Sequence, residues 1–207
     1  MPDSADPTGR ADPVTRADPA EPADPVAVGP WRRRTRRQAY ANPWITIWHD
    51  EVDRPDGGTG IYGVVHFANR AVGVVVLDEH DRVLLVGQHR YPLDAYSWEI
   101  PEGGVPFDES PLDGARRELR EETGVEAHGW REVCRFHLSN SVSDEEGVLF
   151  AAWAGAHGTA SPEPTEDLAV RWVPFPEVLA MIHRRELTDA MSIMALQAVA
   201  LERATER

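Results

Sequence analysis

The sequence predicts an α+β fold, a mixed sheet with helices packed against it and an N-terminal β-ribbon ahead of it. Three observations point there. The run Ala71 to Leu77 is almost wholly apolar, as a strand covered on both faces must be. Strand-like segments come first, one strongly helical segment lies mid-chain, and two more helical segments close the sequence, an order that suits helices laid on a sheet. The chain has 207 residues, 42% of them hydrophobic, enough for one domain of ordinary size with an appended tail.

Along the chain, Ala5-Asp6-Pro7 recurs as Ala11-Asp12-Pro13, Ala17-Asp18-Pro19 and Ala23-Asp24-Pro25. Such a stretch offers too little apolar surface to offset chain entropy, so a disordered acidic tail is expected. Arg32, Arg33, Arg34, Arg36 and Arg37 follow as a solvated linker, which makes residues 1–40 a tail and residues 41–68 an N-terminal β subdomain. Trp44 to Trp48 is aromatic and β-branched, Pro55 to Gly60 is a turn by composition, and Ile61 to Phe67 returns as a strand. The aromatic residues Trp44, Trp48 and Tyr62 are expected to pack in the core.

The main domain is expected over residues 69–207. After Ala71–Leu77, the polar turn Asp78 to Asp81 leads to a strand over Val83–Gln88. A helix is predicted over Ser110–Thr123: Ser110 suits the N-cap, Pro111 the first helical position, Asp113 the first turn and Gly124 the C-terminal cap. Leu112, Ala115 and Leu119 supply its apolar stripe. Further strands are expected at Trp130–Leu138, Val148–Trp153 and Leu168–Val173, and final helices at Pro176–Arg185 and Asp189–Glu206.

Charge and composition exclude several roles. The formal net charge is −14, of which the first thirty residues hold −4, the arginine run +5 and residues 38–207 −15. A body this acidic repels a phosphate polymer, so no nucleic-acid partner is expected, whereas divalent cations are attracted. The longest apolar run is too short to span a bilayer, and no membrane partner is expected. Cys134, the only cysteine, is read as a small core residue, and a reduced cytoplasmic location follows. The eight histidines show no ligand spacing.

The chemistry is concentrated in GGVPFDESPLDGARRELREETGV, Gly103 to Val125. Glu118 precedes Glu121 by three residues and Glu122 by four, so on a helix the three carboxylates crowd one face and repel. A hard cation such as Mg²⁺, with Mn²⁺ as the alternative, offsets that repulsion. Arg117 points elsewhere and can pair with Glu109. A solvated acidic face is the plainer account of ExxEE alone, but Gly103, Glu109 and the Arg117-Glu118 pair stand in register with it.

That register resembles the Nudix box, G-x5-E-x7-R-E-U-x-E-E-x-G-U with U aliphatic, at every specified position. The resemblance implies the αβα Nudix sandwich and metal ligation by Glu118 and Glu122, with Glu121 close by as a ligand or catalytic group. Gly103, Glu109, Arg117 and Gly124 would serve the motif structurally. It also implies attack of water on a nucleoside diphosphate derivative. Gly87 to Pro92 and Trp98 to Gly104 resemble the ADP-ribose pyrophosphatase branch, which implies substrate contacts from Arg90, Glu99 and Arg70. Glu102 stands where that branch has alanine, a position that lends its backbone carbonyl to a metal. Leu138 to Glu146 resembles the branch's S-P-G-x-S-D-E loop, which implies that Glu145 acts as catalytic base or orients the water, although Asn140-Ser141 replaces Pro-Gly.

The expected function is therefore metal-dependent hydrolysis of ADP-ribose or a related nucleotide sugar, by a homodimer whose N-terminal strands help build the partner's site; in the branch it resembles, an aromatic residue of that region, in some members from the partner subunit, stacks on the base. A ligand-binding sensor on the same fold would have lost box carboxylates, and none is lost here. An isomerase of this fold would need a cysteine upstream of the box, and Cys134 lies after it.

Overall fold

The computed structural model describes residues 25–160 and 167–205. The Ala-Asp-Pro repeat lies outside them, save for Pro25. Four strands, β1 (Val26–Val28), β2 (Trp31–Ala41), β3 (Ile45–Asp53) and β4 (Thr59–Phe67), form one sheet in that order. Two compact units are present; one includes the described residues 25–37 and 49–62, the other 38–48 and everything described from Gly63 onward.

The arginine run differs from the expected linker, because it forms most of β2. Trp31, Arg33 and Thr35 alternate as half-buried positions with exposed neighbours, the period of a one-sided strand. Two guanidiniums are neutralised by acids of β3. Arg36 donates Nε and Nη2 to Asp50 Oδ1 and Oδ2, both at 2.7 Å, and Arg34 meets Asp53 at 2.6 Å. Asp50 is only 5% exposed, so that fork stands in for the water its carboxylate has lost. Arg36→Ala should lower unfolding stability by about 2 kcal/mol, less than for a fully buried pair because Arg36 keeps solvent access. Urea denaturation of both proteins measures it, and an unchanged midpoint would show that Asp50 does not need its partner.

The second unit is built on a seven-stranded mixed sheet. Its strands are β5 (Asn69–Leu77), β6 (Arg82–Arg90), β7 (Ala95–Glu99), β8 (Glu102–Pro106), β9 (Val125–His137), β10 (Glu146–His157) and β11 (Ala169–Pro174). The main order is β11-β6-β5-β10-β9, with β7 on β6 and β8 on β5. β5 runs parallel to β10, Ala71 opposite Gly147, and its other pairings are antiparallel. β7 and β8 were not expected, since EGGVP has neither alternation nor β-branched density.

The apolar run of β5 is covered on both faces by alternation. Val72, Val74 and Val76 join Val105 of β8, and Ala115 and Leu119 of helix α1 (Pro111–Thr123), in one cluster. Val75 and Leu77 join Val178 and Met181 of α2 (Phe175–His183), and Ala195, Leu196 and Val199 of α3 (Ala190–Thr205), in the other. This is the expected mixed sheet with helices on it, in three layers. Cys134 is half-buried beside the second cluster. Among the described residues, no helix is long and apolar enough to cross a membrane.

Candidate active site

Helix α1 carries the carboxylates, and its ends follow the sequence signals. Ser110 is the N-cap by backbone geometry, with Gly114 N–H reaching Ser110 O at 3.0 Å and no side-chain cap bond. Gly124 closes the helix at φ +69°, a left-handed conformation that costs glycine little, and its N–H bonds Arg120 O at 2.9 Å.

The chain before α1 forms the facing wall. The bend between β7 and β8 is pinned from two sides: Ile100 N–H donates to Ser192 Oγ at 2.9 Å, and Val74 N–H to Pro101 O at 2.9 Å. Glu102 N–H then donates to Glu122 Oε2 at 3.2 Å, joining bend to helix. Glu122 is 4% exposed. A Cβ on Gly103 would stand 2.3 Å from the Glu118 carboxyl carbon. Only glycine leaves that space free.

Glu118, Glu121 and Glu122 line one cleft of about 540 Å³, together with Glu102, Gly103, Arg117, Gln88, Arg90, Asn69 and Glu145. Trp44, Phe67 and Met191 give it an apolar side. Trp44 corrects an expectation, being 69% exposed rather than packed in the core. Its backbone N–H, like that of Ile45, is turned onto Asn42 Oδ1, at 2.9 and 2.8 Å, in the tight link before β3.

Arg117 is also placed differently from expectation. It does reach Glu109, at 3.5 Å, but its Nη1 bonds Glu118 Oε1 at 2.8 Å and Glu121 Oε2 at 3.1 Å. One guanidinium thus relieves the repulsion that the helix spacing creates. Burial pulls the Arg117 pKa down, but the charge of Glu118 and the bonds to Glu118, Glu121 and Glu109 outweigh it and raise it. Hard oxygen donors on one helix face, beside a backbone left open at Gly103, suit a divalent cation of the Mg²⁺ type.

Arg90 is half-buried and held by carboxylates. It forks onto Glu99, with Nε 2.9 Å from Oε1, and its Nη2 also bonds Glu99 Oε2 and reaches Glu102 Oε1 at 3.2 Å. Burial would lower the Arg90 pKa; the bond to Glu99 and the charges of Glu99 and Glu102 outweigh it. Glu99, Glu102 and Asp189 place carboxylate oxygens within 4.8 Å of one another. Burial first, then Asp189 and Glu99, push the Glu102 carboxyl well above its usual range, against the pull of Arg90. Its Oε2 is buried with no hydrogen-bond partner among the described residues. Arg70 bonds Glu146 at 2.7 Å, lies under Phe107 and lines a smaller hollow of about 140 Å³ with Arg135 and His137.

Glu145 enters from the loop before β10, where burial raises its carboxyl pKa above the ordinary value. Asp189 and Met191 were not singled out in the sequence. Asp189 is an N-cap, its Oδ2 accepting from Ser192 N–H at 2.7 Å, and that short Asp-x-x-Ser signal says nothing of a cleft. Only the packing of α3 against the β7–β8 bend brings it there.

Comparison with known proteins gives the family and the fold. Residues 68–192 match the NUDIX domain, and residues 31–65 match the nucleoside diphosphate sugar hydrolase N-terminal domain. The chain is 31% identical over 160 residues to an ADP-ribose pyrophosphatase of Mycobacterium tuberculosis, covering 75% of this chain and 76% of that one. It is 28% identical over 173 residues to an ADP-ribose pyrophosphatase of Bacillus subtilis, covering 83% and 93%. It is 29% identical over 170 residues to a CMP-5'-(N-acetyl-N-hydroxy-3-aminopropyl)phosphonate hydrolase of Streptomyces rubellomurinus, covering 82% of each. A crystal structure of an ADP compounds hydrolase superposes with a TM-score of 0.77 at 16% identity, covering 89% of this chain and 96% of that one, and so shares its fold.

Proposed function

The chain belongs to the Nudix hydrolase family, and from that premise we propose that it cleaves the diphosphate bond of ADP-ribose or a related nucleotide sugar. The products are a nucleoside monophosphate and a sugar phosphate. One observation carries the reading: the cleft holds Glu118, Glu121 and Glu122 together with Glu145, beside an exposed Trp44. Relatives named ADP-ribose pyrophosphatase favour ADP-ribose over other nucleotide sugars.

Nudix hydrolases use divalent metal ions, and Mg²⁺, with Mn²⁺ as the alternative, is the ion proposed here. Glu118, Glu122 and Glu121 would hold it with the backbone carbonyl of Glu102. Bound there, such an ion neutralises phosphate charge and makes water more acidic. Glu145 takes a proton from the attacking water as its oxygen bonds phosphorus, and the bridging P–O bond breaks to release the second phosphate. The rings of Trp44 and Phe67 offer the base a stacking face. Arg90 would fork onto phosphate or ribose oxygens, with Glu99 fixing its plane. Arg70 would touch substrate only from the neighbouring hollow, next to Glu146.

Incubation with Mg²⁺ and a panel of nucleoside diphosphate derivatives, with chromatography of the products, tests the reading. Release of AMP from ADP-ribose is the expected result, and a panel without turnover would leave a ligand sensor in its place. The protein is further proposed to be a cytoplasmic homodimer. Val26, Val28, Tyr40 and Ile61 expose apolar surface in the four N-terminal strands, and a second copy of the chain would cover it. Light scattering at micromolar concentration should give twice the 23.0 kDa of one chain; a mass near one chain defeats the dimer.

A further inference from the structure

We propose that His66 is a positioning residue, which sets the place of Glu145 by clamping the loop that carries it. The inference rests on the reading of Glu145 as the base. That loop leaves β9 at Leu138 and enters β10 at Glu146. Much of its shape is internal: Val142 N–H and Ser143 N–H bond Ser139 O at 2.8 and 3.0 Å, and Ser143 Oγ donates to Leu138 O at 2.7 Å. These bonds shape the loop, but they leave its tilt toward the cleft free.

The tilt is fixed by the last residues of β4. Val65 N–H donates to Val142 O at 2.8 Å, and Asp144 N–H to Val65 O at 3.2 Å, so the loop lies alongside β4 as a short parallel bridge. The residue next to Glu145 is then seized by its side chain. Asp144 Oδ1 accepts from Phe67 N–H at 3.1 Å, and Asp144 Oδ2 lies 2.6 Å from His66 Nδ1. An ionised carboxylate only accepts, so Nδ1 carries the proton and donates it. Two donors from consecutive residues, one to each oxygen, stop the carboxylate from rotating.

His66 and Asp144 are both about half exposed, their side chains 45% and 48% accessible. A pair so open to water adds little to folding stability. Its effect is on geometry: Glu145 must lie within a fraction of an ångström of the water it deprotonates, and a small misplacement of a catalytic group is costly in rate. Neither residue lines the cleft, so loss of the clamp should not weaken substrate binding.

The test measures kcat and KM on the full chain with Mg²⁺, using the fastest substrate of the panel above. His66→Ala should lower kcat about tenfold, with KM within about twofold and an unchanged thermal melt. His66→Asn, whose amide N–H sits where Nδ1 does, should recover most of that loss. Asp144→Ala should cost at least as much as His66→Ala, and adding His66→Ala to it should cost nothing more. In a Glu145→Gln background, His66→Ala should change nothing further. An equal loss in that background, or an unchanged kcat in His66→Ala alone, overturns the clamp. Near-normal turnover of Glu145→Gln itself overturns the base assignment instead, so the two failures are distinguishable.

Discussion

Glu122→Gln should lower turnover by about a hundredfold or more, on the order of 3 kcal/mol of barrier, while the protein stays folded. The side chain is buried, 4% exposed, and its Oε2 accepts from Glu102 N–H. Glutamine keeps both the volume and an acceptor for that bond, so the bend between β7 and β8 should hold. It removes one negative charge from the face shared with Glu118 and Glu121. A hard cation loses an anionic oxygen, and nothing else in the substitution explains a large rate loss. Two measurements check it: kcat with saturating Mg²⁺, and Mn²⁺ binding followed by electron spin resonance, which should weaken in parallel. A folded variant with near-normal turnover would remove Glu122 from the metal site.

Glu145→Gln should cost a similar or larger factor, about 10²–10³, the worth of a positioned general base, the role proposed for it. Its pH signature is separate from that of any metal ligand. Burial raises the Glu145 carboxyl pKa, and only the ionised form accepts a proton. The rate should therefore rise with pH through a value higher than the ordinary one for a glutamate, and fall as pH drops below it. Glutamine cannot titrate, so the variant should lose that acid limb and keep a low, flatter rate. A pH–rate profile with the limb intact would assign it to another group.

The sequence made the acidic face of α1 legible because helix periodicity alone brings Glu118, Glu121 and Glu122 together. It made β5 legible because seven apolar residues in a row need two covered faces. It did not reveal β2, since an arginine run reads as solvated until Asp50 and Asp53 stand opposite it, and pairing between strands is not written in local pattern. Nor did it reveal β8, whose Gly103 serves close approach to Glu118 rather than strand propensity. Arg117 looked like a partner for Glu109 alone because spacing gives a direction and not a reach. Trp44 was expected in the core since aromatic residues in strands are usually buried; its exposure follows from the tight link at Asn42. Asp189 and Met191 lie nearly ninety residues from Glu102 in sequence, and only tertiary packing brings them near.

The parallel pairing of β5 with β10 also dictates when the catalytic cleft can come into being during synthesis. β5 emerges early, yet its neighbour at Gly147 follows only after α1, the box and the Glu145 loop have all been made. Every acidic group that lines the cleft, Glu102, Glu118, Glu121, Glu122 and Glu145, sits inside the loop that this pairing closes. Closing so long a segment is entropically slow, and it must precede most of the contacts that stabilise it. A nascent chain arrested before β10 would thus hold a complete Nudix box with one edge of Val72, Val74 and Val76 bare. Such a chain is a target for chaperones rather than a hydrolase, and its first turnover should await release of α3 from the ribosome.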